Sequence, residues 1–201
     1  MALFSRKVGT LIPKKVIHIF TEGKKTEPDY FNSIKNELRL NEIDINVKGV
    51  GSNTMSLVDW AIHRKEEDED DGFDTEWWVV FDKDDHPLFD QAIQKARSEG
   101  MSVAYSNECF ELWFILHFQF LSTSIGREKY YEKLTKLLSQ KYRKNSNIYS
   151  LIKDKEANAI QNAKKLEKQH DEEKNVVFSK RDPSTTVYIL IEKLRELKKK
   201  M

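Results

Sequence analysis

The chain has 201 residues, 39% of them hydrophobic, 11% aromatic and 33% charged, which supplies a sizeable core and excludes wholesale disorder. Its one cysteine, Cys109, excludes an internal disulfide and a cysteine-based zinc cluster. No run of about 18 apolar residues is present to span a membrane, and the opening MALFSRKVGTLIPKK lacks a signal-peptide pattern. The expectation is a cytoplasmic protein without membrane contact.

The net charge of +1 conceals a division. Residues 1–126 hold 14 Lys+Arg against 22 Asp+Glu, whereas residues 127–201 hold 20 against 11. An acidic part suited to metal and a basic part suited to phosphate is the functional reading. The run Glu66–Asp71 is set aside as a solvated face, because contiguous acids point all round a helix or loop.

In chain order, Val16–Phe20 is a short β-rich run of the kind buried in a parallel sheet. Glu22-Gly23 breaks it, Gly23 being read as a backbone geometry other residues resist. Thr26, Pro28 and Asp29 then read as a helix start in the capping-box style. Glu27–Leu40 is a helix with Tyr30, Phe31, Ile34 and Leu38 on one face. Ile45–Val50 is a second strand, followed by a turn in which Ser52 or Thr54 caps the next helix. Glu76–Phe81 is a third strand, ending in Asp82-Lys83-Asp84-Asp85. Pro87–Glu99 is a helix stopped by Gly100, and Met101–Ser106 a fourth strand. This alternation predicts a parallel α/β sheet flanked by helices through about residue 120. From Asn107 the pattern changes to a buried apolar helix, then to lysine-rich helices over Glu128–Gln140, Leu151–Glu173 and Ser184–Lys200. The expected organisation is an α/β domain, 1–120, with a helical C-terminal extension, 121–201, packed on it.

Three predicted strand ends carry acids: Glu22, the pair Asp82 and Asp84, and Glu108 or Glu111. In open α/β sheets, ligands bind off the carboxyl ends of strands. In an extended segment Asp82 and Asp84 point the same way, and two such carboxylates repel unless a cation lies between them. Hard oxygen ligands without histidine or thiolate favour Mg²⁺ or Mn²⁺, an arrangement suited to phosphoryl transfer.

The strand-E-G turn with a later strand-D-x-D resembles the Toprim domain of topoisomerases, primases and metal-dependent nucleases. More narrowly, TEGKKTEPDYF, VVFDKDD, SNECFELWFILHF and DPSTTVYILIEKL, in that order, resemble the RloB family, found near bacterial restriction and phage-defence genes. The resemblance spans roughly residues 15–197 and implies a Toprim-like fold. It implies Glu22 as the acid/base or metal-ligand glutamate, Asp82 and Asp84 as the metal pair, and Glu27 as the second acid of nuclease-type Toprim proteins. Asn107 and Glu111 match the N-x-x-x-E of its aromatic motif and, four apart, would share a helix face. The family motif keeps His117 in view for proton transfer, beside the reading of a core histidine. His18, Trp77 and Trp78 are read as structural.

Lys24 and Lys83, next to these acids, are candidate phosphate contacts. Arg181, beside a helix start at Asp182 or Ser184, is another. The reading is a Mg²⁺- or Mn²⁺-dependent nuclease of bacterial defence, catalysed through Glu22, Asp82, Asp84 and Glu111. RNA, transfer RNA included, is slightly preferred over DNA by analogy with RNA-cleaving toxins. An ATPase or another defence protein is a further expected partner. The competing reading is a non-catalytic Toprim module that binds nucleic acid or a partner protein. A primase-type nucleotidyl transferase ranks third, for want of a template-binding domain.

Overall fold

A computed structural model describes residues 15–40, 43–68, 73–144 and 146–200. Four strands form one parallel sheet: β1 (Lys15–Thr21), β2 (Ile43–Gly49), β3 (Asp74–Asp82) and β4 (Ser102–Ser106), in the order β2-β1-β3-β4. The helices α1 (Thr26–Leu38), α2 (Thr54–Asp68) and α3 (Phe89–Ser98) connect successive strands. This is the expected α/β sheet.

Alternation along the strands divides the core in two. Ile17, Ile19, Trp78 and Val80 face one side and pack with α1. Phe20, Trp77, Val79 and Phe81 face the other and pack with α2 and α3. The strands read as continuous apolar runs because both faces are covered. His18 stacks on Trp77 at 4.2 Å between ring centroids, so both sit in structural roles.

The C-terminal part is helical, as expected: α4 (Glu111–Leu116), α5 (Arg127–Leu137), α6 (Tyr149–Ile152), α7 (Glu156–Glu172) and α8 (Val187–Lys199). Buried residues of all five join the α1 side of the sheet in one apolar core. In that core the Trp113 indole N–H donates to the Tyr30 hydroxyl at 2.8 Å. Cys109 is buried there as a free thiol that burial pushes up, away from the reactive thiolate. His117 is fully buried, bonded through Nδ1 to the Trp113 carbonyl at 2.9 Å, and burial lowers its pKa to about 4.

Several local expectations are corrected. Thr26 is the first residue of α1 and bonds the Lys144 carbonyl at 3.4 Å, so no capping box forms. Asn53, rather than Ser52 or Thr54, caps α2 by accepting from the Ser56 N–H at 2.9 Å. Leu151–Glu173 is broken by a 3₁₀ turn at Lys153–Lys155. The last helix begins at Val187, after a cis Asp182-Pro183 bond, because Ser184–Thr186 lie buried against the end of β4. Thr185 bridges to Ser106 there, and the Thr186 N–H donates to the Tyr105 carbonyl at 2.8 Å. Of the acidic run Glu66–Asp71, residues 69–71 lie outside the described residues, while Glu67 and Asp68 pair with Arg64 at 2.9 and 3.0 Å.

Candidate functional site: an acid cavity at the sheet edge

Parallel register brings the strand ends level, with Thr21 beside Gly49 and Val80, and Asp82 beside Ser106. Glu22 follows directly, held by its N–H on the Val80 carbonyl at 2.9 Å. Glu22 and Asp82 therefore share the carboxyl edge of the sheet. The turn after Glu22 folds Glu27, in the first turn of α1, back beneath Gly23. A Cβ on Gly23 would overlap the Glu27 carboxyl oxygens. Gly23 does not have a left-handed φ, which corrects the sequence expectation: a larger residue there would displace the Glu27 carboxyl.

Glu111, the first residue of α4, is also buried. A cavity of about 290 Å³ is lined by Glu27, Asp82 and Glu111, with Lys24, Lys25 and Lys144 among its other walls.

Glu22 accepts from the Thr54 hydroxyl at 3.2 Å and lies 3.1 Å from His86 Nε2. Burial raises its pKa, against the pull of His86 and Thr54. Burial raises Glu27 to about 7, with Glu111 and Glu22 adding to the rise and Lys144 opposing it. Asp82 stands well above the ordinary range, first through burial and then through the charges of Glu27 and Glu111. Its Oδ1 is closed off from solvent without a hydrogen-bond partner. The Tyr142 hydroxyl donates to Glu111 Oε1 at 2.9 Å. Lys144 is raised although burial alone would lower it, because the neighbouring Tyr131 side chain and the charge of Glu111 favour the ammonium.

The structure separates most of the remaining sequence candidates from this cavity. β3 ends at Asp82, and Asp84 has a left-handed φ of 41°, which turns its carboxylate away to pair with Arg127 of α5. Equal orientation of the two aspartates required an extended Lys83-Asp84, and the chain turns there instead. Asn107 and Glu111 do not share a helix face, since α4 starts only at Glu111. The buried Asn107 amide donates to the carbonyls of Phe178 and Ser179 at 3.1 and 3.2 Å, a structural role that removes it from nucleic-acid contact. Arg181 lies six residues before α8 and is largely buried, with Nε on the Asn175 carbonyl and a terminal nitrogen on Asp171, both at 2.7 Å. It is not a free phosphate ligand at a helix start. Lys24 keeps its place at the cavity, its stem lying over Gly51. Lys83 does not line that cavity, and its N–H donates to the Ser106 carbonyl at 2.9 Å.

Four contributors escaped the sequence reading. Thr54 was assigned as a cap. His86 stands two residues past D-x-D and could have been weighed with it. Tyr142 and Lys144 come from a stretch without periodicity, so no sequence signal pointed to them.

Among the described residues, no group of three or more His, Cys, Asp or Glu side chains is placed to hold one ion between them. Mg²⁺ commonly takes only one or two carboxylates and keeps several waters. The orphaned Asp82 Oδ1, in an acid-rich cavity, fits a hydrated cation of that kind.

A family model described as RloB-like protein matches residues 17–194. The chain belongs to the RloB-like family. The match runs from β1 through most of α8, so the RloB-like unit includes both the sheet and the C-terminal helices that supply Glu111, Tyr142 and Lys144. Comparisons with curated proteins and with solved structures give no significant match. Among the described residues, no helix is long and apolar enough to cross a membrane.

Proposed function

We propose that this RloB-like protein is a divalent-metal-dependent nuclease that cleaves phosphodiester bonds in bacterial phage defence, with RNA preferred over DNA. The observation that carries the reading is the convergence of Glu22, Glu27, Asp82 and Glu111 at one sheet edge, with an orphaned carboxyl oxygen on Asp82. A binding module has no use for buried acids that repel one another, whereas a cation site does. Asp82, with Glu22, Glu27 or Glu111 directly or through water, would hold Mg²⁺ or Mn²⁺. Such an ion supplies an activated water and charge stabilisation for the departing oxygen.

The chain's own groups do the rest. Thr54 and His86 hold Glu22 in place, Tyr142 fixes Glu111, and Lys144 offers an ammonium to a phosphate oxygen. Glu27, with a pKa of about 7, is suited to exchange a proton near neutral pH. The preference for RNA, and the defence role, rest on the resemblance to Toprim defence effectors.

The Asp84–Arg127 pair favours a second reading, a non-catalytic module, since it occupies an acid that the Toprim pattern gives to metal. Incubating the purified protein with total RNA and with plasmid DNA, in Mg²⁺, Mn²⁺ or EDTA, separates the two. Cleavage that needs the ion and disappears in Asp82→Asn supports the nuclease. Intact substrates under every condition support the module.

A further inference from the structure

A second cavity, of about 310 Å³, meets the acid cavity at Thr26 and Lys144, which line both. It runs along α1, with the connection from α5 to α6 as its other wall. Its chemistry differs from that of its neighbour. Asn32, Asn36 and Asn147 line it with Tyr30 and Tyr149, and Asp29 is its one carboxylate among the described residues. Asn32 and Asn36 lie one turn apart on α1 and so share a face. Neither side-chain amide makes a hydrogen bond within the described chain. Each amide therefore has two donors and an acceptor not taken up within the described chain. Lys144 stands at the seam, with its Nζ 5.7 Å from the centre of the Tyr131 ring.

We propose that this groove is the subsite for one nucleotide of a single-stranded nucleic acid, the unit next to the bond that is cut. Lys144 takes its phosphate, and Asn32, Asn36 and Asn147 hydrogen-bond its sugar and base edges. The inference rests on the nuclease reading of the acid cavity. A volume of this size lies in the range of small-ligand pockets and admits an unstacked nucleotide, not a duplex. Amides are the side chains that pair with exposed base edges and with a ribose hydroxyl, and unpaired strands expose both.

The test uses fluorescence anisotropy on the full-length protein, with Ca²⁺ replacing Mg²⁺ to hold off cleavage. The probes are a labelled single-stranded decaribonucleotide, its deoxy counterpart, and a duplex of the same sequence. The variants are Asn32→Ala/Asn36→Ala and, as a control at a distant ion pair, Lys95→Ala. Alanine is the better helix former, so the double variant keeps its fold, which an unchanged thermal midpoint verifies. The wild type should bind single strands more tightly than duplex. Two lost hydrogen bonds should weaken single-strand binding by about tenfold, with the control unchanged. A loss confined to the RNA probe would assign the amides to the ribose hydroxyl, and an equal loss on both probes to the base edges; either supports the subsite. Unchanged single-strand affinity in the double variant, an equal loss on duplex, or no binding of any probe would overturn it. Cleavage is scored separately. Amide-dependent binding without cleavage keeps the groove as a single-strand nucleotide site and removes the nuclease, whereas cleavage with amide-independent binding does the reverse.

Discussion

Tyr142 donates its hydroxyl to Glu111 Oε1 over 2.9 Å, and that bond joins the connection after α5 to the wall of the acid cavity. Glu111 is buried, so losing its donor leaves Oε1 without the partner that orients it. Tyr142→Phe should reduce divalent-ion affinity by about 10–100-fold, the usual effect of removing a group that orients a ligand, and should lower the thermal midpoint of the metal-free protein, since an unpaired buried acceptor costs about 1–3 kcal/mol. Metal titration of the two proteins checks this, and equal affinities would show that Glu111 is not part of the cation site.

Asp82 and Asp84 should behave unequally. Asp82→Asn should abolish cleavage and raise the thermal midpoint in EDTA, because it removes repulsion with Glu27 and Glu111. Asp84→Asn breaks a partly exposed pair with Arg127, worth about 0–1 kcal/mol, and should retain most activity. Rates and melting curves of the two variants decide this; equal inactivation would return Asp84 to the metal site.

The Glu27 carboxyl gives a pH signature. Its folded pKa of about 7 lies above its ordinary value of 4.5, so between these limits the folded state binds more protons than the unfolded one. Stability of the metal-free protein therefore falls as pH rises through that window. His117, lowered to about 4 by burial, has the opposite effect: its contribution is lost as pH falls below its ordinary value of 6.5. Comparison with Glu27→Gln cancels the His117 contribution. The variant's advantage should grow from near zero at acid pH to on the order of 3 kcal/mol at alkaline pH. Urea midpoints in EDTA at pH 5 and pH 8 measure it, and parallel curves would show that Glu27 carries no such penalty.

Arg181→Ala should act on folding. The side chain ties Asp171 to the Asn175 carbonyl, and losing charged hydrogen bonds costs about 1–3 kcal/mol. The salt dependence of oligonucleotide binding should stay as in the wild type, since no phosphate contact is removed. A slope reduced by about one unit would restore Arg181 to the nucleic-acid interface.

Glu22 and Asp82 were legible in the sequence because a strand end fixes position: parallel register levels the ends, and a residue just beyond an apolar run must lie at the edge. Glu27 was legible through resemblance alone, since a spacing of five gives no helical face and only the Gly23 turn brings it back. Asp84 was misread because one left-handed residue redirects a side chain, and nothing in D-x-D marks it. Asn107 and Lys144 depended on contacts distant in sequence, and Arg181 on the way its loop folds back on Asp171 and Asn175. Charge and spacing do not encode such contacts.

Calorimetric titration of Mn²⁺ into the metal-free wild type and into Asp82→Asn, near neutral pH and in two buffers of different ionisation enthalpy, tests the cation site most directly. The wild type should bind saturably, with protons released as the buried carboxyls ionise, and the variant at least about tenfold more weakly. Absence of saturable binding in the wild type, or equal binding in the two proteins, would contradict the cation site.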